Sequence, residues 1–334
     1  MFKETDLLKT AKKLNKTIVF PEAGFSERVV NACRYIHKNK IAKVIMLGDE
    51  SALILKYKKL KGITIINPKT SSFANELATD LFESRKHKGL SFEDAEKLIE
   101  NPIYFGTMMV KLGYADGMVV GAETSTKDSL KPALQLIKGK KPDGLVSSCF
   151  ILCGKNKALG KDGAMVLADC GLNENPEADK LTQITLQAND FTEEVVGIQP
   201  KIALLSYSTK GSAEGETPAK MCEVLKNIQE INSKIIVDGE MQLDAAIVPE
   251  VAKIKCPNSP LNGQANCLIF PDLTSGNIAY KSMQRFGKIN AIGPITMGLK
   301  KPVNDLSRGC TPEEIVYITA ITCIQAKNNV NGEL

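Results

Sequence analysis

The chain has 334 residues, 43% hydrophobic and 24% charged, with a formal net charge of +5. That balance fits two α/β domains of ordinary size and excludes a low-complexity or disordered polymer. No apolar run reaches the roughly 20 residues that cross a bilayer, and no aromatic-interleaved basic stripe suits nucleic acid.

The opening MFKETDLLKTAKKLNK has basic residues but no apolar signal core, so a cytoplasmic location is expected. Short Val- and Ile-rich runs then alternate with helical patterns. TIVFPEA (17–23) leads to a helix from about Ser26, with Ser26 as N-cap and Glu27 as first-turn acid. AKVIMLG (42–48), ITIINP (63–68) and DGMVVG (116–121) follow, then GLVSSCFIL (144–152), AMVLADC (164–170), KIALLSYS (201–208), KIIVDG (234–239), NCLIFPD (266–272) and NAIGPI (290–295). Unbroken apolar strands separated by helices predict mainly parallel sheets covered on both faces. About ten strands imply two sheets. KGKKPDG (138–144) and GLKKPVND (298–305) read as connections, giving one α/β domain of 1–141 plus 300–334 and a second of 142–299. The single C-terminal helix then packs back on the first domain.

Nine cysteines lie singly along the chain, and the two histidines, His37 and His87, lie near none of the closely spaced ones. Reduced, mostly buried thiols and no metal site are expected. Of 43 basic residues only five are arginine: Arg28, Arg34, Arg85, Arg285 and Arg308. A chain that uses lysine for generic positive charge keeps arginine where a planar fork is needed, although Arg34 reads as a solvated helix residue.

Three segments carry chemistry. In PVNDLSRGCTPEEIVYITAITCIQA (302–326), Ser307 and Arg308 sit in a loop. Thr311, Pro312, Glu313 and Glu314 follow as an N-cap, a proline at the first helical position and first-turn acids. A hydroxyl, an arginine and a carboxylate within eight residues supply the donors and the base that acyl transfer needs. In GAETSTKDSLKPALQLIKGKKPDG (121–144), Thr124, Ser125 and Thr126 precede a helix carrying Lys127 and Lys131; hydroxyls and free N–H groups at a helix start make an anion site. In ELATDLFESRKHKGLSFEDAEKLI (76–99), Arg85 to Lys88 close one helix and Ser91 caps the next. LLSYSTKGSAEGE (204–216) is a Gly/Ser-rich turn, and FPDLTSGNIAYKSMQRFG (270–287) pairs a helix entry with Arg285. No P-loop and no GxGxxG after a strand occur, against nucleotide hydrolysis and a dinucleotide site.

In their order and spacing, FPEAGFSERVVNA, RKHKGLSFEDA, DGMVVGAETSTKDSLKPALQ, LLSYSTKGSAEGE, ANCLIFPDLTSGNIAYKSMQR and IGPITMGLKKPVNDLSRGC resemble the phosphotransacetylase family from about residue 15 to 330. The resemblance implies reversible acetyl transfer between coenzyme A and phosphate, with acetyl-CoA and acetyl phosphate as the paired acyl species. It implies no cofactor, no metal, no covalent acetyl-enzyme, and a homodimer. The implied fold is two α/β/α domains with the active site in the cleft between them. Ser307 and Arg308 fall on the family's serine and arginine at the reacting centre. Glu314 stands where the family carries an aspartate, the proposed base for the CoA thiol, with Glu313 as its neighbour. Arg85 falls on an arginine near CoA, and Lys131 where a second arginine is usual. Thr124 replaces a histidine, and Arg285 matches an arginine lining the cleft. The nearest alternative is a phosphate butyryltransferase. A dehydrogenase of similar architecture would want a carboxylate metal cluster and a nicotinamide site, and a silent regulatory domain would not keep Ser307, Arg308 and an acid at 314.

Overall fold

In the computed structural model, residues 4–140 and 144–329 are described. The chain forms two compact units, one of Glu4–Gly144 with Leu299–Leu334, the other built on Leu145–Gly298. Of the connection at 138–144, residues 141–143 lie outside the described residues.

The chain lays down β1 (Thr17–Phe20), β2 (Lys43–Leu47), β3 (Thr64–Ile66) and β4 (Gly117–Val120) in the first unit. It then builds β5 (Ser147–Cys153), β6 (Ala164–Ala168), β7 (Ile202–Leu205), β8 (Val237–Met241), β9 (Cys267–Ile269) and β10 (Asn290–Met297) in the second, and returns for β11 (Val303–Asp305). The first sheet runs β11-β4-β1-β2-β3, with every pairing parallel. The second runs β10-β5-β6-β9-β7-β8. There β6, β9, β7 and β8 are parallel, while β10–β5 and β5–β6 are antiparallel.

The α/β reading of mainly parallel sheets holds, with two differences. β11 was not expected; it has three residues and ends in Asn304 and Asp305, so its sequence carries no apolar run. The antiparallel edge was also missed, because β5 is buried on both faces and reads like a parallel strand. Its signal is the Gly-containing, helix-free segment 154–163 that joins it to β6.

The helix Pro312–Gln325 explains the return to the first unit. Residues Ile315, Val316 and Ile318 to Ile324 are buried, and it packs against the helices Glu4–Leu14 and Glu27–Lys38 and against β4. A helix apolar all round has no solvent face, and each buried Ile contributes roughly 1.5–3 kcal/mol. Thr319 and Thr322 donate back to the carbonyls of Ile315 and Ile318 at 2.7 Å, which satisfies their hydroxyls inside the core. Just before it, Lys300 N donates to Lys138 O at 3.0 Å, so the outgoing and returning segments pair.

Candidate active site

β4 lies between β1 and β11, with Asp305 level with Val120. The loops leaving these three strands therefore emerge side by side at the carboxyl edge, where open parallel sheets hold ligands.

The loop after β1 supplies Glu22, 1% exposed. Its Oε2 accepts from Gly121 N at 2.8 Å and Ala122 N at 2.7 Å. Its Oε1 accepts from Glu123 N at 3.0 Å, Thr124 N at 2.9 Å and Thr124 Oγ1 at 2.7 Å. A carboxylate that accepts from that many donors is held in one place. Next to it the Arg28 guanidinium hydrogen-bonds to Glu123 and, with Ser26, holds the Glu123 carboxyl below the usual range.

This changes the reading of the anion site at Thr124–Thr126. Of its backbone donors Thr124 N, with Gly121 N, Ala122 N and Glu123 N just before it, is filled by the chain's own carboxylate, Glu22. The hydroxyls are likewise committed: Thr124 to Glu22, Ser125 to Asp128 Oδ2 at 2.7 Å, and Thr126 to Asp305 Oδ2 at 2.6 Å. Ser26 also differs from expectation. It occupies the N-cap position without capping, because its Oγ donates to Glu123 at 2.7 Å instead.

The loop after β11 presents Ser307 and Arg308 as exposed side chains. Its backbone is closed by Cys310 N donating to Ser307 O at 2.8 Å. Thr311 and Glu314 then form a reciprocal cap: Glu314 N donates to Thr311 Oγ1 at 3.2 Å, and Thr311 N to Glu314 Oε2 at 2.7 Å. Glu314 thus has one oxygen tied into its own helix start and the other, Oε1, outside that cap; Glu313 is exposed. Burial pushes the Cys310 thiol up to about 11, so the cysteine beside Arg308 stays protonated and is no thiolate nucleophile.

A depression of about 510 Å³ is lined by Arg85, Lys88, Lys97, Lys131, Tyr104 and Asp94 among others. Lys131 and Tyr104 also border a second depression of about 380 Å³, which reaches Thr124, Phe25 and Asp128. Arg85 and Lys131, 46 residues apart in sequence, thus face one basic hollow, and Lys131 connects it to the 121–125 loop. His87 is exposed and lines neither. Arg285 belongs to the other unit, exposed at the end of the helix Leu273–Arg285. That helix entry is capped by Asp272, whose carboxylate accepts from Ser275 N at 2.8 Å.

Sequence reasoning gave no role to Glu22, Glu123, Asp305 or Tyr104, and left Arg28 as one arginine of five. The scarcity of arginine was the signal available for Arg28. Nothing local marks Glu22, whose partners lie about a hundred residues away.

A family model described as phosphate acetyl/butaryl transferase matches residues 2–323. A phosphate acetyltransferase from Acetivibrio thermocellus is 47% identical over 323 residues, covering 96% of this chain and 97% of the relative. The crystal structure of a phosphotransacetylase from Streptococcus pyogenes superposes with a TM-score of 0.90 at 42% identity, covering 97% of this chain and 98% of that one. A phosphotransacetylase from Staphylococcus aureus gives a TM-score of 0.88 at 40% identity, over 97% and 99% of the two chains. The chain belongs to the phosphate acetyl/butaryl transferase family.

Proposed function

We propose that the chain is an acyltransferase that moves an acetyl group reversibly between coenzyme A and inorganic phosphate, by direct attack with both substrates bound. The observation that carries this is the loop after β11. It carries an exposed hydroxyl and an exposed guanidinium on adjacent residues, six to seven residues before a partly tied carboxylate, on a parallel-sheet edge.

In the direction of acetyl-CoA formation, the CoA thiol loses its proton to Glu314 Oε1. The sulfur attacks the carbonyl carbon of acetyl phosphate, a C–S bond forms, and the C–O bond to phosphate breaks. Arg308 neutralises charge on the carbonyl and phosphoryl oxygens through its fork, and Ser307 donates a hydrogen bond there. The thiolate is the nucleophile, so a base on the thiol lowers the barrier directly. The protonated Cys310 offers no competing covalent route. Arg85 and Lys131, with Lys88 and Lys97, form a cationic hollow suited to the phosphates of CoA. Thr126 keeps its backbone N–H and hydroxyl lone pairs for substrate, its hydroxyl proton being held by Asp305. Arg285 is assigned to substrate on the family motif alone. A cytoplasmic homodimer completes the reading, supported by the family resemblance; light scattering should give twice the 36.3 kDa of one chain.

The test is a thioester-absorbance assay of purified protein with CoA and acetyl phosphate, run beside butyryl phosphate. Faster acetyl transfer is expected. Preference for butyryl would make the chain a phosphate butyryltransferase, and absence of thioester from either would refute acyl transfer.

A further inference from the structure

Arg28 is the residue that links the two loops of this edge. It lies on the helix Glu27–Lys38, half-buried. Nη1 donates to Arg308 O at 2.8 Å and to Cys310 O at 3.0 Å. Nη2 donates to Ala122 O at 2.7 Å and to Glu123 Oε1 at 2.8 Å. Those acceptors account for all the N–H groups on its two terminal nitrogens, so the fork is filled by protein and has little left to offer a substrate phosphate. Its acceptors on one side are backbone carbonyls flanking Gly309, in the segment that carries Ser307 and Arg308. On the other side they belong to the 121–124 loop, which Glu22 fixes from behind.

We infer that Arg28 is a positioning residue for acyl transfer: it locks the backbone of the 307–310 loop onto the 121–124 loop, and so sets where the Arg308 guanidinium stands. This rests on the proposed function for its kinetic consequence, though not for the mechanical one. Within the loop Cys310 N donates to Ser307 O at 2.8 Å and Gly309 N to Ser307 Oγ at 3.3 Å, but these bonds hold the loop to itself and not to a neighbouring segment, and the glycine lets its backbone shift. Misplacing a charged donor by about 1 Å costs on the order of 10²-fold in rate. Lysine cannot replace the clamp, because three donors at one point do not span carbonyls on two loops.

The test compares wild type, Arg28→Ala and Arg28→Lys in steady-state acetyl transfer, with amide hydrogen exchange of residues 306–311 as a second readout. For Arg28→Ala, kcat is expected to fall roughly 10²-fold while KM for CoA and for acetyl phosphate changes less than about threefold. Guanidinium added at millimolar concentration should restore part of the rate, and Arg28→Lys should remain nearly as slow as Arg28→Ala. Exchange at 306–311 should rise in both variants. A variant that merely unfolds would lose rate without guanidinium rescue, and Arg28→Lys, which keeps charge and bulk, would then recover the rate; that pattern overturns the inference. So would a raised KM with unchanged kcat, which would make Arg28 a substrate contact. If wild type itself transfers no acyl group, the functional reading fails and exchange alone decides: unchanged protection at 306–311 would sink the clamp, increased exchange would uphold it.

Discussion

Glu314 holds two positions at once, and a conservative change separates them. One oxygen accepts from Thr311 N in the helix cap, leaving the other for the thiol proton. Glu314→Gln keeps an oxygen for Thr311 N and removes the base. The melting temperature should stay within about 2 °C, while kcat falls at least about 10²-fold, the range for a positioned acid or base, and the acid-side limb of the pH–rate profile flattens. An unchanged profile would move the base to the exposed Glu313. Lys131 poses a subtler question. It lines the same hollow as Arg85, but as a point charge it makes no bidentate contact with a phosphate. Lys131→Arg should lower KM for CoA roughly threefold or more at unchanged kcat; an unaltered KM would remove Lys131 from the CoA site. Ser307, Arg308 and Glu314 stood out as candidates because they sit within eight residues of one another in a segment that resembles the family's. Arg28 was not, since its carbonyl partners on the Ser307–Cys310 loop lie 280 and 282 residues away.

The start of the helix Pro312–Gln325 does two jobs, closing the core and aiming the loop before it. Thr311, Pro312 and the first-turn acids make this start readable from sequence, and the structure adds that Thr311 and Glu314 cap it reciprocally. Thr311→Ala leaves the Glu314 amide without its side-chain acceptor and should destabilise the protein by about 1 kcal/mol in denaturant titration; equal stability would mean that burial alone holds the helix start. The strands show where local pattern fails. Of the eleven strands among the described residues ten were visible as apolar runs, but β11 was not, because a three-residue strand ending in Asn304 and Asp305 announces neither period. Only its place beside β4 makes it a strand, with Asn304 donating to Thr322 Oγ1 at 2.8 Å and Gln325 Oε1 at 2.7 Å. Gly121, just after β4, shows the same dependence on tertiary contact. It adopts φ +104°, and a Cβ there would overlap the Asp305 carboxylate, so close approach of the two strand ends needs glycine at this position.

Across the whole molecule, a buried carboxylate behind the site ties stability to pH. Burial raises Asp305 from 3.8 to about 6, and the residue is 1% exposed. The fold thus favours its neutral form: the associated stability is full below about pH 4 and is lost as pH rises through about 6. Between pH 4 and pH 7 wild type should lose up to roughly 3 kcal/mol relative to Asp305→Asn, read from denaturant midpoints at each pH; parallel curves would show that Asp305 titrates normally. The sequence supplied ten of the strands, the α/β class and the family, since these rest on repeated local patterns and spaced motifs. It missed the antiparallel edge of the second sheet and the Glu22 carboxylate that fills the backbone donors of the 121–124 loop, since both depend on which distant segment arrives. The most direct measurement is acetyl transfer by Arg308→Ala beside wild type, with the two proteins matched for folded fraction. Wild type should form acetyl-CoA from acetyl phosphate rapidly, and Arg308→Ala should lose roughly 10²–10³-fold in kcat. A variant within twofold of wild type would contradict the assignment of the loop after β11 as the reacting centre.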